Sequence, residues 1–264
     1  MYDVRGKVAF ITGVGAGFGA ELAQRLAQKG ALIGGCDINV EKALETADKI
    51  NSLYPNACVA VHCDVGVMED IEGAFKRVLE HFGRVDIVVN NAGISEFHKF
   101  IEDPDADWKT VIDIDLNAVI KGTQLGLNQM RKQSPPGGVI VNVASMAGFI
   151  PDVNMPIYVA AKMGVVGFTR SLGRKLLKTQ GVRVNGIAPT FAMTNMGKLA
   201  LQSEDFAKHV ANSTVPVPLV IDAFMRAIED DSLSGDILRI TAQNGIDVLP
   251  TGRASQKKKD SSKL

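Results

Sequence analysis

Short apolar runs rich in β-branched residues alternate along this chain with longer segments whose apolar positions recur every three or four residues. Lys7 to Ile11 reads as a strand and Glu21 to Lys29 as a helix. Ala31 to Cys36, ending on Asp37, is the next strand. The pattern continues as helix over 40–53, strand over 58–62 ending at Asp64, helix over 69–82 and strand over 85–90. Trp108 to Gln133 is one long periodic segment, apolar at Val111, Leu116, Val119, Leu125 and Met130, with Asn117 in its middle. Strands over 139–143, 182–187 and 236–241 and helices from Pro156 and over 221–229 complete the series. Alternation of this kind predicts an α/β fold, a doubly wound parallel sheet of about seven strands with helices on both faces.

One domain is expected over residues 1–250, with no linker and no repeat. Residues 190–218 hold Ser, Thr, Pro and Met without a clean period and read as a substrate lid or binding loop. Residues 251–264 are Ser- and Lys-rich and read as a disordered tail. That tail ends in Ser262-Lys263-Leu264, the address recognised by the peroxisomal import receptor, so the expected location is the peroxisome and otherwise the cytoplasm.

Composition narrows the classes. Lys+Arg and Asp+Glu both number 29, which leaves no overall field to favour nucleic acid or an anionic membrane. The chain has neither an N-terminal apolar segment nor an apolar run of membrane-spanning length, so neither secretion nor a membrane span is expected. Cys36, Cys58 and Cys63 lack ligand spacing and read as buried free thiols, and the four histidines are scattered, so no metal is expected.

The chemistry sits at the ends of the strands. Thr12-Gly-Val-Gly-Ala-Gly-Phe-Gly19 joins the first strand to the first helix, where glycines allow backbone to approach a pyrophosphate and the helix start favours its charge. This makes the fold a single-domain Rossmann fold. An acid ending the second strand, Asp37, can accept both ribose hydroxyls and repel a 2′-phosphate, which points to NAD; the plainer reading of Asp37 is a helix N-terminal residue. Asn90-Asn-Ala-Gly93 follows the fourth strand, and Asn90 serves equally well as a loop tie or a cofactor contact. Tyr158 and Lys162, four apart on a nearly all-apolar helix, place a phenol beside an ammonium. Such a pair is either a packed core Tyr with a snorkelling Lys or a titratable pair with a function.

The ordered series Thr12-Gly13-x-x-x-Gly17-x-Gly19, Asp37, Asp64-Val65, Asn90-Asn-Ala-Gly93, Asn117, Ser145 and Tyr158-x-x-x-Lys162 resembles the short-chain dehydrogenase/reductase family over nearly the whole chain. Within it, Gly122 to Leu127, Ile157 to Ser171 and Ile228 to Asp231 are most similar to the NAD-dependent 15-hydroxyprostaglandin dehydrogenase type. The resemblance implies hydride transfer between a secondary alcohol and NAD, with Tyr158 as general base, Ser145 holding the substrate oxygen, Lys162 favouring the phenolate and Asn117 holding a water. It implies NAD contacts at Gly13, Gly17, Phe18, Gly19, Asp37, Ile38, Asp64, Val65, Asn91, Ala92, Gly93, Tyr158, Lys162, Pro189 and Thr194, and a substrate pocket of Ser145, Ala147, Met155 and Phe191.

Two departures bear on the substrate. Thr190 stands where the family has a Gly after Pro189, and Met155 stands where the prostaglandin type has a Gln, which points away from prostaglandin. An apolar wall favours a hydrophobic alcohol or ketone. The alternatives are a ketone reductase or hydroxyacyl dehydrogenase of peroxisomal lipid metabolism, and a non-catalytic NAD-binding regulator. A homodimer or homotetramer through the helices of Asn117 and Tyr158 is expected, because Gly164, Val165, Gly167 and Phe168 would otherwise meet water.

Overall fold

In a computed structural model of the protein, which describes residues 1–96, 100–103, 105, 107–194 and 213–251, every apolar run named above is a strand of one sheet. The strands are β1 (Val8–Thr12), β2 (Leu32–Asp37), β3 (Cys58–His62), β4 (Ile87–Asn90), β5 (Gly138–Val143), β6 (Val182–Pro189), β7 (Ile237–Thr241) and β8 (Gly245–Leu249). Their order is β3-β2-β1-β4-β5-β6-β7-β8; the first seven pair in parallel and β8 runs antiparallel to β7. The eighth strand exceeds the expected seven. It is a short edge hairpin turned at Gly245 (φ 63), and five half-buried residues give too little pattern to stand out in sequence.

Residues on successive positions of β1 serve opposite faces, as strand geometry requires. Ala9 and Ile11 pack under α1 (Gly17–Gln28), α2 (Val40–Leu53) and α7 (Val217–Glu229), together with Leu22, Leu26, Ile50 and Phe224. Val8 and Phe10 pack toward α3 (Met68–Phe82) and α5 (Ala118–Lys132), with Phe75, Val78 and Met130. Close approach decides one residue type: a Cβ on Gly34 of β2 would lie 2.2 Å from Val78 Cγ1. Chain order runs from β1 toward β3 on one side and from β4 toward β7 on the other, so a crevice opens at the carboxyl ends of β1 and β4.

The segment expected as one helix from Trp108 is three pieces: α4 (Trp108–Ile112), a π turn (Asp113–Asn117) and α5. Ala118 N–H donates to the Asp113 carbonyl, five residues back, and this wider turn shifts the phase of the helix face. Helix α6 (Pro156–Gln180) starts on a proline, whose missing N–H costs nothing in a first turn, and stops at Gly181 (φ 66). Val165, expected to meet water, is fully buried within the subunit, and the exposed positions between Pro156 and Phe168 are Ala160, Met163 and Gly167.

Helix α7 starts at Val217, inside the stretch expected to be irregular, and Ala192 bridges to Val215. The rest of the expected lid, residues 195–212, lies outside the described residues, as do residues 252–264 with Ser262-Lys263-Leu264. Thr251 is still tied to the domain, its N–H donating to Asp236 Oδ1 at 2.7 Å. Among the described residues, no helix is long and apolar enough to cross a membrane.

Candidate active site

The carboxyl edge of the sheet carries a cleft of about 340 Å³. At one end, β1 turns into α1 through Gly13 (φ 75) and Gly17 (φ 56), backbone that a side chain would strain. Thr12 ties this turn to the loop after β4, since its hydroxyl accepts from the N–H groups of Asn91 and Ala92, each at 3.0 Å. The Asn91 amide returns a bond to the Thr12 carbonyl at 2.8 Å. Gly19 does not line the cleft; a Cβ there would lie 2.0 Å from the Gly13 carbonyl oxygen, so it lets α1 seat against the turn.

Asp37 ends β2 at the rim. Its carboxylate accepts from Gly15 N–H at 2.8 Å and Asn39 N–H at 2.9 Å, while the capping of α2 falls to Asn39, which accepts from Lys42 N–H. Four lone-pair sites minus two leave room for ribose hydroxyls. Phe18, Ile38, Asp64, Val65, Ala92 and Gly93 join Gly13, Gly17, Asp37 and Asn91 in the wall, and Pro189 and Thr194 close the far side. These residues fit a dinucleotide: a bare-backbone turn at a helix start, an acid for the ribose, and apolar Ile38 and Val65 flanking. Asn90 is not in this wall. It is buried, donating to Asn142 Oδ1 at 2.8 Å, and acts as a tie between β4 and β5.

At the other end stand Ser145, Tyr158 and Lys162. Ser145 follows β5 and accepts from Ala147 N–H at 3.2 Å. Tyr158 and Lys162 rise from the first two turns of α6, with Lys162 Nζ 5.4 Å from the centre of the Tyr158 ring. Glu96 fixes the start of that helix, its Oε2 accepting from Ile157 N–H at 2.9 Å and Tyr158 N–H at 3.0 Å. Sequence reasoning missed Glu96, because a capping acid sixty residues away leaves no local signal.

Ala147, Met155 and Phe191 do not line the cleft. Met155 precedes α6 as its cap residue, and the Phe191 carbonyl accepts from Val215 N–H at 2.8 Å.

Asn117 is the larger correction. Its side chain is on the exposed face, donating to Asp113 Oδ1 at 2.8 Å, and the structure does not bring it to Tyr158 or Lys162. Asp115 is there instead. It is fully buried, with Oδ1 3.0 Å from Lys162 Nζ and accepting from Ile94 N–H at 3.3 Å. Lys162, 3% exposed, also donates to the Val143 carbonyl at 3.2 Å. The signal was present: Asp115 falls on the buried stripe of Val111, Ala118, Val119 and Met130, where an acid is out of place without a partner, whereas Asn117 lies off it.

These groups set one another's charge. Burial of the Tyr158 phenol raises its pKa; Lys162 and a hydrogen bond from Ser145 pull it down, Asp115 pushes it up, and the outcome lies above the ordinary tyrosine value. Lys162 alone therefore does not produce the lowering that the motif implies. Burial would lower the Lys162 pKa, but Asp115 and Tyr158 outweigh that and raise it, so the ammonium stays charged. Burial raises Asp115 against the opposing pull of Lys162. The arrangement can present one oxygen-holding hydroxyl and one proton-accepting phenol beside a fixed cation.

The chain is similar to known proteins over most of its length. Residues 7–205 match the short chain dehydrogenase family. Human 15-hydroxyprostaglandin dehydrogenase (NAD+) is 36% identical over 258 residues, covering 92% of this chain and 94% of that protein. A Vibrio cholerae 3-oxoacyl-(acyl-carrier-protein) reductase is 31% identical over 246 residues, covering 90% and 97%. Among solved structures, a Brucella melitensis 3-ketoacyl-(acyl-carrier-protein) reductase complexed with NADH superposes with a TM-score of 0.81 at 26% identity, covering 92% of this chain and 100% of that one.

Proposed function

The chain belongs to the short-chain dehydrogenase family, and from that membership we propose an NAD-dependent oxidoreductase that transfers hydride between NAD and a hydrophobic secondary alcohol, with Tyr158 as general base. The observation that carries the reading is the convergence of Ser145, Tyr158 and Lys162 at one end of a cleft whose other end is a glycine turn and Asp37. The chemistry supplied by bound NAD is hydride acceptance at its nicotinamide ring. The glycine turn and the start of α1 hold its pyrophosphate, and Asp37 holds its adenosine ribose and disfavours a 2′-phosphate. Ser145 Oγ holds the alcohol oxygen, and the Tyr158 phenolate takes the hydroxyl proton. Lys162 keeps a positive charge beside the phenolate throughout.

Similarity to a 15-hydroxyprostaglandin dehydrogenase supports NAD and a hydroxyl substrate. The exposed apolar residues Ile150, Val153 and Met193, on the loops leaving β5 and β6 at the same sheet edge, support a hydrophobic one. Similarity to 3-oxoacyl reductases favours a second reading of the same site, run toward ketone reduction. The test is NADH absorbance with a panel of secondary alcohols, hydroxy fatty acids and steroids, and NADH consumption with the matching ketones. Turnover in either direction supports the reading; NAD binding without turnover of any member favours a non-catalytic regulator.

On the sequence of the tail, the same reading extends to a peroxisomal address read at Ser262-Lys263-Leu264. Appending one residue after Leu264 should abolish import, and unchanged import contradicts it. Association through α5 and α6 is the proposed assembly, supported by the outward Ala160, Met163 and Gly167. A monomer by light scattering at micromolar concentration would overturn it.

A further inference from the structure

A buried carboxylate against the lysine of the site has no part in the hydride chemistry just described. Asp115 lies in the π turn on the buried stripe of Val111, Ala118 and Val119, and a Cβ on Gly93 would lie 2.5 Å from its Oδ1, so the loop after β4 is shaped around it. Its Oδ1 takes Lys162 Nζ and Ile94 N–H, whereas Oδ2, also buried, finds no donor among the described residues. A carboxylate paired through one oxygen in a poorly solvated site keeps a field that reaches its neighbours.

We propose that Asp115 is a positioning residue that anchors the Lys162 ammonium and takes up part of the positive field which that ammonium would otherwise direct at Tyr158. The inference rests on the reading of Tyr158 as the general base. Geometry gives the competition its sense: one cation stands 3.0 Å from the carboxylate and 5.4 Å from the ring centre. Asp115 acts on the phenol in the direction opposite to Lys162.

Other charged groups near this pair are engaged elsewhere. Glu96 is bound to backbone N–H groups of α6, Asp37 and Asp64 hold backbone N–H groups at the adenine end, and Lys109 pairs with Asp113 on the outward face. Against the burial of the phenol, Lys162 and Asp115 are therefore the two charges that act on Tyr158.

Asp115→Asn keeps the shape and removes the charge. Its effect is read without any substrate, by titrating the phenolate absorbance of Tyr158 with NAD bound. The chain has three tyrosines, Tyr2, Tyr54 and Tyr158, so subtracting the Tyr158→Phe counterpart of each protein isolates the one phenol. Removing a negative charge favours the phenolate, so the titration moves down, by about one pH unit or more. The rising limb of turnover against pH, for whichever panel alcohol reacts fastest, moves down with it.

A titration that stays in place or moves up overturns the proposal, as does turnover that falls equally at every pH, the result of a purely structural role. If Asp115→Asn does not fold, judged by loss of NAD binding, Asp115→Ser carries the same titration with the same two outcomes. Absence of turnover with every panel member would sink the proposed function, while the titration still decides the role of Asp115.

Discussion

Two carboxylates face the same cleft and are built on opposite plans. Asp37 sits partly exposed at the rim, bound by the N–H groups of Asn39, two residues on, and of Gly15 in the glycine turn beside it. Asp115 is fully buried, and its charge is met by a lysine from another helix. The first plan uses backbone donors at an exposed rim, so changing the side chain costs the ligand more than the fold. The second joins two helices by an ion pair, and removing either partner leaves a charge stranded where water cannot reach it.

Lys162→Met breaks the second plan outright. It leaves Asp115 buried without its cation and should lower stability by about 3–5 kcal/mol, read by chemical denaturation, with loss of turnover. Equal stability to wild type would show that Asp115 protonates or moves at little cost. Asp37→Ala probes the first plan. NAD binding by titration calorimetry should weaken by about 10–100-fold, the value of hydrogen bonds to a charged group, while the melting temperature stays close to wild type.

Gly93→Ala sharpens the contrast from the backbone side. The added methyl crowds Asp115 Oδ1, which cannot retreat without loosening Lys162, and should cost about 1–3 kcal/mol by denaturation. Unchanged stability would show that the pair has slack. Asn117→Ala should do least, because it removes a surface bond to Asp113: stability within about 0.5 kcal/mol of wild type and turnover unchanged by steady-state assay. A severe loss of turnover there would return Asn117 to the site.

The same contrast explains what could be read from the sequence. The sheet was legible because parallel strands buried on both faces are continuous apolar runs, and the glycine turn and Asp37 were legible because their geometry is local. Tyr158 and Lys162 were legible as one turn of one helix. Asp115 was legible only as an acid on the buried stripe, because its lysine comes from another helix, and the amide that the motif calls for falls two residues away on Asn117. Glu96 was hidden for a related reason, as its partners are the N–H groups of a helix far along the chain.

All of this bears on whether Tyr158 is the group that takes the proton. Tyr158→Phe keeps the ring and removes the hydroxyl, so NAD binding by calorimetry serves as the internal control. The account predicts NAD affinity equal to wild type and NADH production reduced by about 10³-fold or more with the best alcohol of the panel. Turnover near wild type with intact NAD binding would contradict it.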